Sequence, residues 1–217
     1  MFTGIVQATC DVVSIKEQSG LKTFEVKIPE ELQQGLETGA SVANNGVCLT
    51  VTKLENDRVY FDVMEETLQV TNLNFVEPGS KVNIERSLTF GKEIGGHILS
   101  GHIHAMATIT EVSETDSHYN LTLSVPEKWM DYIFYKGFVG VNGCSLTVGE
   151  LKNNQFKLHL IPETLKLTNL SDCIIGDKIN IEIDSQTQVI VDTVERILAK
   201  KALTNIDLAN LIKSNNT

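Results

Sequence analysis

Apolar and polar residues alternate with period two along most of this chain, the spacing that turns every second side chain of a strand toward a core. In LKTFEVKIP at 21–29, Phe24, Val26 and Ile28 share one face; further on, Val59, Phe61 and Val63 do the same. Val82 and Ile84 mark another strand, and residues 4–15 open the series. The pattern then starts again, with Leu121, Leu123 and Val125, then Phe156, Leu158 and Leu160, then Ile179 and Ile181. Pro29 and Pro126, each followed by glutamate, predict a short helix between strands. ETLQVTNL at 66–73 and ETLKLTNL at 163–170 read as a short helix or turn. From Thr187 the period lengthens: Ile190, Val191, Val194, Ile197 and Leu198 recur at helical spacing, with Asp192, Glu195, Arg196 and Lys200 between them. That stripe suits a helix packed on its own barrel or one paired with the same helix of other subunits. The tail from Ala202 is weakly helical, and its SNNT end is expected to fray.

The recurrence is an internal repeat. NGVCLTV at 45–51 returns as NGCSLTV at 142–148, and a gapless shift of 97 residues lays 3–87 on 100–184 with 24 identities in 85 positions. Unrelated sequences of this composition would give about 5. Asn-Gly followed by Leu-Thr-Val predicts a tight turn and then a strand. Val47, Leu49 and Val51 would face a core, leaving Cys48 and Thr50 on the other face; Ser145 and Thr147 take that place in the second copy. About six short strands per copy predict a closed antiparallel barrel, which also removes exposed sheet edges. The fold class expected is all-β: two tandem six-stranded antiparallel barrels plus a C-terminal α-helix. The first barrel spans 1–97 with a joint at 88–97, the second 98–186, and the helix and tail 187–217. Gly91, Gly95 and Gly96 predict a flexible joint.

Charge and cysteine usage narrow the function. A net charge of −10 and a pI near 5.0 argue against a nucleic-acid backbone or an anionic membrane as main partner. MFTGIVQATCDVV has no basic stretch ahead of an apolar run, so no signal peptide is expected, and no run of about 18 apolar residues predicts a membrane helix. Cysteines at 10, 48, 144 and 173 have no metal spacing, and thiols in a reducing cytoplasm are expected. His97, His102 and His104 lack a carboxylate or thiol at ligand spacing, so no metal is expected.

Two similar barrels suggest two similar ligand sites, with chemistry where the copies differ. Ile5 becomes His102, Ser41 becomes Phe138, Cys48 becomes Ser145 and Ser87 becomes Asp184. Taken singly, a histidine before a strand is more often structural; the His, Ser and Asp set as a group suits acid–base work or hydrogen bonds to a polar ring.

MFTGIV at the start, NGVCLTV, EIGGHILSGH at 93–102, YKGFVGVNGCSLTV at 135–148, HLIPETL at 159–165 and NIEID at 180–184 resemble, in order and spacing, the alpha-type riboflavin synthase family, whose chains carry two lumazine-binding domains. The resemblance covers about residues 1–200. It implies Greek-key barrels, a helix that assembles a homotrimer, and dismutation of two 6,7-dimethyl-8-ribityllumazine molecules without a cofactor. A four-carbon unit passes between them, giving riboflavin and 5-amino-6-ribitylaminouracil. The family places each active site between the N-terminal barrel of one subunit and the C-terminal barrel of its neighbour, and makes a lumazine synthase a candidate partner.

The family pattern assigns Cys48 and Ser41 to the N-terminal half-site and His102, Ser145, Thr147 and Asp184 to the C-terminal one, with Lys136 reaching a ligand across subunits. Gly4, Ile5 and Val6, and likewise Gly101, His102 and Ile103, would meet the ring edge. Cys48, Leu49 and Thr50, and Ser145, Leu146 and Thr147, would line one side. Asp62, Val63, Met64, Glu65, Glu66 and Thr67 would close the other, as would His159, Leu160, Ile161, Pro162, Glu163 and Thr164. Glutamates 66 and 163, with threonines 67 and 164, would take ribityl hydroxyls; helix N-terminal support is the simpler role for the glutamates. His102 and Ser145 are expected to move a proton from the donor's C7 methyl, and Cys48 to act as nucleophile or hydrogen-bond partner. The rival expectation is a lumazine- or flavin-binding antenna without turnover, but the second copy is complete here; a purely structural double barrel leaves the polar faces unexplained.

Overall fold

The computed structural model describes residues 1–115 and 118–214, with side chains described as far as Lys201. Residues 1–184 form one compact unit and the residues from 185 onward a second. The first barrel is built from β1 (Ala8–Gln18), β2 (Leu21–Lys27), β3 (Ser41–Asn44), β4 (Val47–Glu55), β5 (Arg58–Met64) and β6 (Lys81–Arg86), closed in the order β1-β2-β5-β4-β3-β6. The second repeats that order with β7 (Ala105–Thr115), β8 (His118–Ser124), β9 (Phe138–Val141), β10 (Cys144–Lys152), β11 (Gln155–Leu160) and β12 (Lys178–Ile183). All pairs are antiparallel, so each barrel closes with no free edge.

The alternation decides which side chains fill the barrels. Val12, Phe24, Val26, Val51, Val59, Phe61, Val63, Val82 and Ile84 are fully buried in the first; Ile109, Leu121, Leu123, Val148, Phe156, Leu158, Ile179 and Ile181 fill the second. Register shifts curve the strands at matching places, between Val12 and Ser14 and between Ile109 and Glu111. Asn45-Gly46 and Asn142-Gly143 all have positive φ, the twist a two-residue hairpin needs.

Three local expectations are corrected. The opening strand begins at Ala8 rather than residue 4, because Thr3 and Gly4 spend their N–H groups on a side chain instead of a ladder. Pro29 precedes α1 (Glu30–Gln33) as its cap, and its counterpart Pro126 opens a 3₁₀ turn, Glu127–Tyr132. The joint is not loose throughout: His97 and Leu99 are buried, and a Cβ on Gly96 would lie 2.3 Å from the Thr3 carbonyl oxygen. ETLQVTNL and ETLKLTNL form α2 (Glu65–Val70) and α3 (Pro162–Leu167), each followed by a 3₁₀ turn.

The barrels meet through residues that are each other's repeat counterparts. Phe2 and Leu99 exchange N–H···O bonds of 2.8 and 3.0 Å. A Cβ on Gly46 would come within 2.7 Å of the Gly143 nitrogen, and the reverse contact is equally tight. Around these tips, Asn45, Asn72 and Asn83 interlock with Asn142, Asn169 and Asn180. Asn142 Oδ1 accepts from Asn180 N at 2.9 Å and from Asn72 Nδ2 at 3.0 Å; Asn45 Oδ1 accepts from Asn83 N at 2.8 Å and from Asn169 Nδ2 at 3.0 Å.

Helix α4 (Ser185–Ser214) runs beyond the segment expected, and Val189, Ile190, Val194, Ile197 and Leu198 are exposed on it. Residues 215–217, where fraying was expected, lie outside the described residues. Among the described residues no helix is long and apolar enough to cross a membrane.

Candidate functional site: two crossed half-sites

The first half-site lies on the outer face of β3 and β4. Ser41 pairs with Thr50 and Ala43 with Cys48 across the ladder, which puts a hydroxyl pair beside a half-buried thiol. The other three cysteines are poor nucleophiles, because burial pushes the thiols of Cys10, Cys144 and Cys173 up to about 12. The neighbour of Cys48 comes from the other half of the chain. Its N–H donates to the Gly101 carbonyl at 2.9 Å, and a Cβ on Gly101 would sit 2.4 Å from the Cys48 Cβ. The exposed His102 follows directly, and Ile103 packs on the first barrel's core.

The second half-site mirrors the first. Ser145 N donates to the Gly4 carbonyl at 2.7 Å, and a Cβ on Gly4 would sit 2.5 Å from the Ser145 Cβ. Ile5 is exposed beside it, and Val6 is buried in the second barrel's core. Thr147 pairs with Phe138, the counterparts of Thr50 and Ser41. The leader of each half therefore lies across the other half's barrel. This corrects the expected grouping: His102 is placed with Cys48, not with Ser145, because backbone pairing over the barrel junction carries residues 100–103 to the first barrel.

The imidazole beside Ser145 belongs to His97. Its Nδ1 is 2.7 Å from Ser145 Oγ, and its ring stacks on Phe138 with centroids 5.4 Å apart and planes 19° apart. Burial pushes the His97 pKa below its ordinary value, against a smaller upward pull from the Asp184 carboxylate, so the ring is neutral near pH 7. Its Nε2 is buried with no partner among the described residues. His97 escaped the repeat comparison because 97 positions earlier the chain has no residue to compare it with. The available signal was the joint itself, whose Gly95-Gly96 lets the chain pass close to Ser145.

A buried carboxylate anchors each leader. Glu85 accepts from Thr3 N and Thr3 Oγ1 at 2.7 Å and from Gly4 N at 3.0 Å. Glu182, its counterpart, accepts from Ser100 N at 2.6 Å, Ser100 Oγ at 2.7 Å and Gly101 N at 3.1 Å. Burial raises the pKa of both, and the N–H and O–H donors pull the other way.

Lys136 has φ 66°, in the left-handed region, while its counterpart is Gly39 with φ 91°. Both donate to the same strand position, Gly39 N to Val51 O and Lys136 N to Val148 O. Lysine thus occupies a turn position that suits glycine. Its ammonium lies 5.2 Å from the Tyr135 ring centre.

The other expected contacts divide by burial. Leu49, Val63, Leu146 and Leu160 turn inward and offer only backbone groups outside. Met64, Glu65, Glu66, Ile161, Pro162 and Glu163 are exposed, with Thr67 and Thr164 half-buried. Asp62 accepts from Thr23 Oγ1 at 2.7 Å, and His159 Nδ1 lies 2.6 Å from Asn120 Oδ1, so these counterparts make matching cross-strand bonds. Among the described residues no three His, Cys, Asp or Glu side chains converge as metal ligands.

A family model described as "Lumazine binding domain" matches residues 3–87 and 100–184. The chain is 50% identical over 202 residues to the riboflavin synthase of Escherichia coli (strain K12), covering 93% of this chain and 95% of that one. It is 45% identical over 214 residues to the riboflavin synthase of Buchnera aphidicola subsp. Schizaphis graminum, covering 98% of this chain and 100% of that one. Among solved structures it resembles LumP complexed with 6,7-dimethyl-8-(1'-D-ribityl)lumazine, with a TM-score of 0.77 at 26% identity, over 84% of this chain and 99% of that chain. For LumP complexed with riboflavin the TM-score is 0.78 at 28% identity, with the same coverage.

Proposed function

The chain belongs to the riboflavin synthases built from two lumazine-binding domains, and from that premise we propose how its two crossed half-sites share the reaction. Two molecules of 6,7-dimethyl-8-ribityllumazine exchange a four-carbon unit, giving riboflavin and 5-amino-6-ribitylaminouracil. Donor and acceptor are the same compound, so the products balance the substrates with no outside oxidant or reductant. A duplicated binding barrel suits that stoichiometry. Holding two rings face to face removes the entropic cost of their encounter, worth up to about 7–11 kcal/mol in well-oriented systems.

The observation that carries the residue assignment is the crossing, which sets Cys48 beside Gly101-His102 and Ser145 beside Gly4-Ile5. At the first half-site, Cys48 serves as nucleophile or hydrogen-bond partner toward C7 of one lumazine, with His102 exchanging the proton and Ser41 and Thr50 bonding the ring edge. At the second, Ser145 and Thr147 face the other ring. His97 presents Nδ1–H to Ser145 Oγ, since an orphan lone pair on buried Nε2 is less costly than an orphan N–H. Ser145 then keeps its own proton to donate to the ligand, and Asp184 adds negative charge beside His97. Glu66, Thr67, Glu163 and Thr164 border the half-sites and bond the ribityl chains.

Each half-site is an open strand face, and two rings can meet only if a second half-site covers the first. We infer that the first barrel of one subunit faces the second barrel of a neighbour in a homotrimer assembled through the apolar stripe of α4. Lys136 then reaches the neighbour's ligand, which gives a reason for its left-handed backbone.

The test mixes the purified protein with 6,7-dimethyl-8-ribityllumazine alone and follows absorbance. Riboflavin at half the moles of lumazine consumed is expected. Tight, fluorescent binding without turnover would instead support a binding-only role, the alternative favoured by likeness to ligand-bound LumP.

A further inference from the structure

Three successive backbone N–H groups in the leader of the second half end on one buried carboxylate or on the hydroxyl bound to it. Ser100 N reaches Glu182 Oε1 at 2.6 Å, Gly101 N reaches Oε2 at 3.1 Å, and His102 N reaches Ser100 Oγ at 3.1 Å. Ser100 Oγ in turn donates to Glu182 at 2.7 Å. The same leader then touches the first barrel, where the Gly101 carbonyl takes the Cys48 N–H at 2.9 Å with no room for a Cβ between them.

We propose that Glu182, on the last strand of the second barrel, is the positioning residue for Cys48 and His102 of the first half-site. It touches neither reacting side chain. It holds the Ser100 and Gly101 N–H groups directly and, through Ser100 Oγ, the next peptide, from which His102 projects and whose carbonyl pins the Cys48 backbone, so the spacing of thiol and imidazole is set from the opposite barrel. A carboxylate does this better than an amide because all of the groups it meets are donors. Glu85 provides an internal control: it grips Thr3 and Gly4, and the Gly4 carbonyl takes the Ser145 N–H at 2.7 Å. Control is therefore crossed, each half-site being tuned by the last strand of the other barrel. The functional part of the inference rests on the reading that Cys48 and His102 serve the reaction.

The experiment uses the full chain as wild type, Glu182→Gln, Ser100→Ala and Glu85→Gln. Two quantities are read on each: the rate of Cys48 alkylation by iodoacetamide without substrate, mapped by mass spectrometry, and kcat and KM for 6,7-dimethyl-8-ribityllumazine. Glu182→Gln and Ser100→Ala are expected to change the Cys48 alkylation rate several-fold. They should also lower kcat about 10- to 100-fold, the scale expected for a small misplacement of reacting groups. Glu85→Gln is expected to lower kcat while leaving Cys48 alkylation as in wild type. Ser100 is half-buried on a leader segment, so Ser100→Ala carries the test if Glu182→Gln fails to fold. Wild-type alkylation in both second-half variants would overturn the inference. So would an equal change in Glu85→Gln, which would mean general loosening. Altered alkylation with unchanged kcat would keep the geometric clamp but overturn the roles given to Cys48 and His102.

Discussion

At the scale of single residues, Lys136 shows how a cost in the fold points to a task. A non-glycine residue in the left-handed region is destabilised by about 1–2 kcal/mol, and its counterpart Gly39 avoids that. Lys136→Gly is expected to raise stability by about 1 kcal/mol, after allowing for the added freedom of glycine in the unfolded chain. Turnover should fall in the same variant; urea unfolding and the lumazine assay check the two together. His97 gives a pH signature. Its folded-state pKa lies below its ordinary 6.5, so the unfolded chain binds the proton more readily. The stability linked to His97 is thus complete above about pH 6.5 and is lost as pH falls through the folded-state value. Urea midpoints from pH 7.5 to 5 should show that loss in the wild type and a smaller one in His97→Gln. The same substitution should lower kcat more than it raises KM. Cys48 and Ser145 were legible as candidates because each stands in a repeated motif, and Lys136 through the family resemblance around YKGF. The grouping of His102 was not, since the pairing of residues 100–103 with the other barrel leaves no trace in local spacing.

At the scale of elements, strand alternation was a sufficient guide to the inward faces of β2, β5, β8 and β11, because half-buried strands separate apolar from polar side chains by simple parity, whereas β3, β6, β9 and β12 carry continuous buried runs. It failed at the leaders, where Phe2, Val6 and Leu99 are also apolar and buried but fill the barrel junction or the opposite core. The same limit applies to α4, whose helical period was plain while the surface that covers it was not. If that stripe assembles the trimer, replacing Ile190 and Val194 together by glutamate should reduce the mass seen by light scattering from trimer to monomer. Lumazine turnover should vanish with it, while far-UV circular dichroism keeps its β-barrel character. Retained trimer mass would remove α4 from the assembly.

For the whole molecule, the six interlocked asparagines make the two barrels one compact unit. Removing Asn142 Oδ1 strands the buried donor Asn180 N, at about 1–3 kcal/mol for a buried group left without a partner, and takes one of the two bonds of Asn72 Nδ2, which keeps the Lys178 carbonyl. Asn142→Ala is expected to lower the urea midpoint accordingly. The barrels should also begin to unfold separately. Fluorescence of Trp129, the single tryptophan and a residue of the second half, would then part from circular dichroism, which reports both barrels.

The sequence by itself determined the two barrels, that the second repeats the first, and the family, because the inward parity of strands, the Asn-Gly turns and the gapless repeat are all written in local order. Only the tertiary structure decided which leader lies across which barrel, that His97 stands beside Ser145, and that Glu182 holds the leader whose carbonyl meets Cys48. Those relations depend on backbone hydrogen bonds and on glycines lacking a Cβ where two distant segments touch. Such contacts leave no periodicity along the chain, and they exist only once both barrels have closed and met.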